Sequence, residues 1–295
     1  MSQFRWPPPP DGAPRYMKPR NVSPRAGRPV PPALPTELVA TPHGADLERM
    51  VTGLGDPVTI FAHGLGQGIA ETRVYGSAVE GRRVFFQFRG HGRSSAPDGD
   101  WTYADLARDL RAVSDLSGAT RALGMSLGAG ALCRLLTESP QRFERLVFIL
   151  PAVLDVPRSA AARERFLALL DAVASGDVGA VATQLVAEVP KTFRNAATGW
   201  AYVRQRLDSL MRDGLSEELG ALADQVAIDD REALRHVDAP ALIIACQGDE
   251  LHPVSIAEEL AEVLPSAELH VYSRPTILWT ERADLRERIS AFLNQ

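Results

Sequence analysis

The stretch RALGMSLGAGALCRLLTE at residues 121–138 decides the fold. Its first five residues form an apolar run that is typical of a buried strand, and the spacing from Leu127 onward predicts a helix. Between them lies GMSLG at residues 124–128, in which small residues stand two positions before and after Ser126. A tight strand-to-helix turn needs that lack of bulk to lift a serine out of a sheet. We therefore predict Ser126 as a nucleophile and the Leu127 N–H, at a helix N-terminus, as a donor to an oxyanion.

A second glycine-rich turn follows an earlier predicted strand, where residues 63–66 read HGLG. Such a turn can direct backbone donors toward the same point, and the Leu65 N–H is the predicted second oxyanion donor. The same region could be interpreted as a nucleotide-binding loop, because residues 64–68 read GLGQG. The dinucleotide-binding pattern requires a further glycine at the position of Ile69, so we do not predict that function.

Short apolar runs alternate with helix-length segments from residue 37 onward. After an opening hairpin, the predicted strands are Pro57–Ala62, Arg83–Phe88, Arg121–Met125, Arg145–Leu150, Ala241–Cys246 and Glu268–Tyr272. The predicted helices between them are Tyr103–Leu116, Leu127–Glu138, Val254–Val263 and Arg282–Leu293. Strands that are apolar on both faces and joined by helical crossovers predict an α/β fold with a parallel sheet covered on both sides.

The chain divides into three predicted regions. Residues 1–36 are rich in proline, with eleven of the 22 prolines in the first 35 residues, and predict a disordered or surface-draped tail. A polyproline ligand for a partner is the alternative interpretation of this tail. Residues 158–228 carry only helical periodicity and predict a cap over the sheet edge, whereas residues 37–157 and 229–295 predict the core.

Composition excludes several classes of function. The net charge is −5; residues 1–35 carry six basic residues and one acidic residue, a net of +5, so the remainder carries −10. That balance argues against a nucleic-acid-binding surface on the folded part. We find no apolar run of transmembrane length and no secretory signal, so we expect a cytoplasmic protein without a membrane partner. Cys133 and Cys246 lie far apart in apolar stretches and predict buried thiols.

Four motifs, taken in chain order, resemble those of the α/β-hydrolase superfamily. They are His63-Gly64 after a strand, RGHGRS at residues 89–94, the turn at Ser126, and Gly248-Asp249 after a late strand. The resemblance covers about residues 37–295. It implies an eight-stranded, mostly parallel sheet with a helical cap, and a serine–histidine–acid mechanism without a cofactor. It also implies Asp249 as the acid, with Asp155 as a less usual alternative.

The sequence departs from that family at the histidine, which the resemblance places in the loop after the last strand. This chain has Thr276 and Ile277 at the expected positions, and residues 273–279 contain no histidine. A serine hydroxyl needs a base, and histidine has the pKa suited to that task. We predict that His252, three residues after Asp249 in a loop at the same sheet edge, serves as a displaced base. The other interpretations are His91 as the base, or no base at all. The histidines that we expect to be remote, structural or packed are His43, His63, His236 and His270.

These residues predict a serine hydrolase that acts on a small carboxylic ester, lactone or thioester. We expect a small-molecule substrate, no cofactor, no metal and no nucleic acid, because only Asp249, Glu250 and His252 lie close together as potential ligands. The alternative is a catalytically impaired protein of the same fold that binds a small molecule or promotes a non-hydrolytic reaction. Apolar stripes in the cap suggest an uncharged, partly apolar substrate. The sequence does not specify the substrate, the oligomeric state or the role of the tail.

Overall fold

The computed structural model describes residues 35–99, 101–275 and 277–295. The prediction for the Pro-rich tail therefore falls almost entirely outside the described residues, and so does Thr276.

Eight strands of the described residues form one sheet in the order β1-β2-β4-β3-β5-β6-β7-β8. The strands are β1 Glu37–Ala40, β2 Asp46–Thr52, β3 Val58–Ala62, β4 Arg82–Phe86, β5 Arg121–Met125, β6 Arg145–Ile149, β7 Ala241–Cys246 and β8 Ala267–Tyr272. β2 runs antiparallel to both β1 and β4, and every other neighbouring pair is parallel. This arrangement confirms the predicted α/β fold with an eight-stranded, mostly parallel sheet.

Helices lie between and after the strands along the chain. They are α1 Ile69–Thr72, α2 Tyr103–Ser117, α3 Leu127–Glu138, α4 Ala160–Ala174, α5 Val178–Glu188, α6 Ala197–Asp213, α7 Val254–Val263, α8 Ile277–Thr280 and α9 Arg282–Leu293. Two 3₁₀ helices span Glu217–Asp224 and Arg231–His236. None of the described helices has both the length and the apolar character that crossing a bilayer requires.

Two apolar clusters cover the two faces of the sheet. Successive residues of a strand point to opposite faces, so Ile60 joins one cluster while its neighbour Phe61 joins the other. The first cluster includes side chains of α2, α3 and α7, and the second includes side chains of α9 such as Ile289. Burial on both faces explains why these strands read as continuous apolar runs.

Helix α2 illustrates how local sequence fixes the ends of an element. Thr102 accepts a hydrogen bond from the Asp105 N–H, and the Asp105 carboxylate accepts one from the Thr102 N–H. This reciprocal pair satisfies two donors that the first turn would otherwise leave free. The helix ends at Gly118, whose φ of 68° lies in the left-handed region that glycine adopts readily.

The segment between β6 and β7 is helical and has a core of its own. Residues of α4, α5 and α6, including Leu169, Leu185 and Leu207, are buried against one another in a third apolar cluster. Among the described residues of this segment, extended pairing is limited to an isolated bridge between Leu215 and His91. We call residues 160–224 the helical segment.

Candidate active site

Ser126 occupies a strained turn between β5 and α3. Its φ of 49° and ψ of −107° are rare for a residue with a side chain. A Cβ atom at Gly128 would lie 2.5 Å from the Ala62 carbonyl oxygen, and one at Gly124 would lie 2.6 Å from the Gly128 carbonyl oxygen. The backbone therefore packs too closely for a side chain at either glycine, which is why the turn needs both.

His252 lies between Ser126 and Asp249. Its Nε2 is 3.0 Å from the Ser126 Oγ, and its Nδ1 is 2.9 Å from Asp249 Oδ2. With the proton on Nδ1, the imidazole donates to Asp249 and its Nε2 is free to accept the serine proton. The structure thus brings together the three residues predicted as nucleophile, base and acid.

A compact turn after β7 sets the geometry of the acid and the base. Asp249 Oδ1 accepts hydrogen bonds from the backbone N–H groups of Leu251, at 2.9 Å, and His252, at 3.2 Å. Such side-chain-to-backbone bonds are typical of Asp at the start of a turn. Burial opposes ionisation of Asp249, but the nearby His252 and these hydrogen bonds together hold the pKa of its carboxyl below the usual value.

The predicted oxyanion donors flank the serine. A Cβ atom at Gly64 would lie 3.4 Å from the Ser126 Cβ, so the turn after β3 passes directly beside the nucleophile. Both Leu65 and Leu127 line the same cavity as Ser126. In the described part of the chain, the N–H groups of Leu65 and Leu127 have no protein acceptor, and both can serve an incoming oxygen.

The other candidate base, His91, is engaged elsewhere. Its Nε2 accepts a hydrogen bond from the Gly66 N–H at 3.1 Å, and its Nδ1 lies 3.1 Å from the Arg89 carbonyl oxygen. Burial and the charge of Arg206 lower the pKa of His91 to about 4, so it is neutral at physiological pH. Both ring nitrogens are committed to backbone groups, which leaves His91 no lone pair for Ser126.

The remaining histidines and the alternative acid also have other partners. His63 lies between the Gly64 carbonyl oxygen and the Phe88 N–H, so it orders the backbone beside the site. His43 is 2.8 Å from Asp109, and His270 packs against Tyr272 on the last strand. Asp155 forms an ion pair with Arg231.

Ile277 occupies the position where the family resemblance places the histidine. Its side chain is 1% exposed and belongs to the apolar cluster that α9 covers, although it also reaches the cavity wall. In this chain the position is therefore part of the core, and the imidazole that contacts Ser126 comes from the turn after β7.

A cavity of about 670 Å³ lies between the sheet edge and the helical segment. Ser126 and His252 lie on its sheet side, whereas Phe166, Leu169 and Tyr202 of the helical segment lie on the other. Parallel strands end at one edge of a sheet, and loops at that edge commonly form ligand sites. The volume is that of a small-molecule site.

The two cysteines are free and buried. Burial, together with the charge of Asp249 for Cys246, raises the pKa of both thiols to about 12, so neither is a thiolate near pH 7. Among the described residues, no group of three or more His, Cys, Asp or Glu side chains is arranged to hold a metal ion.

Sequence reasoning missed Arg206, which lies on α6 and lines the cavity. It is only 2% exposed, and it donates a hydrogen bond to the carbonyl oxygen of Gly66 in the turn after β3. The sequence did not single out Arg206 as a cavity residue, because a charged residue is expected on an amphipathic helix and the sequence did not specify which face of α6 meets the cavity.

Comparisons with known proteins identify the fold family. A profile of the α/β hydrolase fold matches residues 57–274. A protein of Azorhizobium caulinodans with the provisional name carbamate hydrolase RutD is 27% identical over 237 residues, which cover 77% of this chain and 87% of that protein. A protein of the same provisional name from Variovorax paradoxus is 28% identical over 64% of this chain and 71% of its own length.

Solved structures share the fold. A hydrolase from Pseudomonas aeruginosa superposes with a TM-score of 0.70 and 25% identity, over 89% of this chain and all of its own. An esterase from Exiguobacterium antarcticum superposes with a TM-score of 0.68 at 17% identity, over 88% of this chain and 99% of its own. The match over most of the chain, the sheet order and the serine turn lead to one conclusion: this chain belongs to the α/β hydrolase fold family.

Proposed function

We propose that this chain is a serine hydrolase that cleaves a small carboxylic ester, lactone or thioester. The observation that carries the proposal is the line of hydrogen bonds from Ser126 through His252 to Asp249. Serine hydroxyls become nucleophilic when an adjacent base takes their proton, and a carboxylate fixes the tautomer of that base.

In the proposed mechanism, Ser126 Oγ attacks the substrate carbonyl carbon while His252 Nε2 takes the hydroxyl proton. The carbonyl oxygen becomes an oxyanion that accepts hydrogen bonds from the Leu65 and Leu127 N–H groups. Collapse of the tetrahedral intermediate breaks the bond to the leaving group, which takes the proton from His252. Water then attacks the acyl-enzyme, giving its proton to His252, and the acid product leaves as Ser126 regains its proton.

A carbamate is a further candidate substrate. The two relatives that carry the name carbamate hydrolase support this choice, because a carbamate presents the same kind of carbonyl carbon to a serine nucleophile. The tetrahedral intermediate would use the same donors and the same base.

A fluorophosphonate probe tests the proposal, because it labels only an activated serine. We expect labelling of the wild type and hydrolysis of p-nitrophenyl acetate, with both lost in Ser126→Ala. His252→Ala should lower kcat by at least about 10³-fold, in line with losses of a catalytic base elsewhere. His270→Ala is the matched control, because this histidine lies on the last strand in contact with Tyr272, and it should change kcat by less than about twofold.

Two results would count against the proposal in different ways. An unlabelled, inactive but folded wild type would favour the catalytically impaired alternative. Normal labelling and turnover in His252→Ala would leave the nucleophile in place but refute His252 as its base.

A further inference from the structure

The wall of the cavity opposite Ser126 carries a buried cation. Arg206 is 2% exposed, and among the described residues no carboxylate forms an ion pair with it. Its Nε is buried without a hydrogen-bond acceptor. A guanidinium has five N–H donors, and the Gly66 carbonyl and the Tyr202 hydroxyl account for only some of them.

Arg206 nevertheless stays charged. Burial disfavours its cation, but Tyr202, Glu188 and Glu71 hold the pKa of the guanidinium above its usual value. Each of these two carboxylates has one oxygen in another hydrogen bond: Glu188 accepts from the Tyr202 hydroxyl at 2.9 Å, and Glu71 Oε2 accepts from the Gly68 N–H at 3.0 Å, while Glu71 Oε1 is buried without a partner. These carboxylates act on the guanidinium through space and not as its hydrogen-bond acceptors, so its Nε–H remains available to an anionic group that enters the cavity.

The surrounding cavity wall also carries a net positive charge. Cationic side chains on the wall outnumber carboxylates by five to three. The cations are Arg158, Arg165, Lys191, Arg194 and Arg206, and the carboxylates are Glu188, Asp249 and Glu250. A chain with a net charge of −5 thus presents a locally positive cavity, and a cleft of one sign concentrates ligands of the opposite sign.

We propose that Arg206 binds a carboxylate of the substrate, so that the preferred substrates are acyl compounds with a second, anionic group near the scissile carbonyl. This inference rests on the proposed function and specifies its substrate class. It replaces the uncharged substrate that the apolar stripes of the helical segment suggested.

The position of Arg206 limits the length of that substrate. The guanidinium contacts Gly66, two residues beyond Gly64, which lies against Ser126. Consecutive Cα atoms are ~3.8 Å apart, so the two Cα steps and the side chains at either end allow a separation on the order of 10 Å between the guanidinium and the serine hydroxyl. A spacing of two or three methylene groups between the scissile carbonyl and the carboxylate, as in monoesters of succinic or glutaric acid, fits that distance.

A matched pair of esters tests the inference. We expect the wild type to hydrolyse mono-p-nitrophenyl succinate with a higher kcat/KM than p-nitrophenyl butyrate, which has the same chain length and no carboxylate. Arg206→Gln should lower kcat/KM for the succinate monoester roughly 10–100-fold more than for the butyrate ester, mainly through KM, because a charge-assisted hydrogen bond is lost. Arg206→Lys should retain part of the preference. Arg212→Gln, an exposed position on the same helix, removes the same charge and should leave the preference unchanged.

The alternative is that Arg206 only holds the Gly66 carbonyl. In that case Arg206→Gln would slow both esters equally, and the inference would be wrong. Wild type without any preference for the anionic ester would overturn it as well, even if the variants failed to fold.

Binding provides a readout that does not depend on turnover. Glutarate should raise the melting temperature of the wild type and of Arg212→Gln but not that of Arg206→Gln. No shift in the wild type would refute the inference. If neither ester is cleaved and Ser126 is not labelled, the proposed function fails, and the glutarate shift alone decides whether Arg206 binds an anion.

Discussion

At the scale of single residues, Ile277 separates this chain from the family pattern. Because its side chain is buried in the core and Ser126 already contacts His252, Ile277→His should not increase hydrolysis. We expect a loss of ~1–3 kcal/mol in the free energy of unfolding, because the polar imidazole ring would replace a buried aliphatic side chain. Urea unfolding and p-nitrophenyl acetate turnover measure the two effects, with Ile277→Val as the conservative control. A gain in turnover would mean that the site lacks a functional base.

Residue-level reasoning could single out Ser126 from its strand-to-helix turn, whereas Asp249 was implied by the family resemblance and His252 by its position three residues after Asp249 at the same sheet edge. Parallel strands end at the same sheet edge, so residues after β5 and β7 had to lie near one another. The roles of these residues and of the two amides remain predictions until the labelling experiment. The position of Arg206 in the cavity wall could not be predicted, because it depends on how α6 packs over the cavity and not on any local sequence pattern.

At the scale of elements, the turn between β5 and α3 depends on backbone contact. Gly128→Ala would place a Cβ 2.5 Å from the Ala62 carbonyl oxygen, so β3 and α3 must separate. We expect a loss of more than ~2 kcal/mol in unfolding free energy and loss of fluorophosphonate labelling. Gly220→Ala is the control, because its nearest contacts would be ordinary ones at 4.0 Å, and it should shift stability by less than ~1 kcal/mol. Equal effects of the two substitutions would refute this explanation of the turn.

The strands and long helices were largely predictable because burial on both faces of the sheet leaves unbroken apolar runs. The predicted bounds of Leu127–Glu138, Val254–Val263 and Arg282–Leu293 coincide with α3, α7 and α9. The sequence did not indicate α1, a four-residue helix after the glycine-rich turn that follows β3, because a single turn is too short to establish a period. The 3₁₀ helix Arg231–His236 was also not predicted, because six residues are too few to establish a period, whereas Glu217–Asp224 lies within the segment predicted to be helical.

At the scale of the whole molecule, two buried neutral histidines predict loss of stability in acid. Burial lowers the pKa of His63 well below 6.5, and burial with the Arg206 charge lowers that of His91 from 6.5 to about 4. The unfolded chain binds these protons first, so the stabilisation is complete above pH 6.5 and is lost as the pH falls toward 4. For His91 this amounts to about 3 kcal/mol.

Urea unfolding between pH 7 and pH 4 measures this effect. His91→Gln should be less stable than the wild type at pH 7, but its free energy of unfolding should fall less steeply toward pH 4. Carboxylates with lowered pKa values, such as Asp249 and Asp105, contribute to acid sensitivity in both proteins and cancel in the comparison. If the free energy of unfolding fell equally steeply with pH in the two proteins, the lowered pKa of His91 would not be the cause of the acid sensitivity.

The turn after β7 carries Asp249 and His252, the proposed acid and base, within four consecutive residues that hydrogen bonds tie to the Asp249 carboxylate. Their spacing is consequently a local property of one peptide, insensitive to small shifts of the last strand. With His252 as the proposed base, the C-terminal segment beyond β8 need not supply a proton acceptor. Sequence change there is constrained by packing and by the cavity wall that Ile277 and Trp279 line, whereas an insertion between positions 249 and 252 would break the hydrogen bonds that join Asp249, His252 and Ser126.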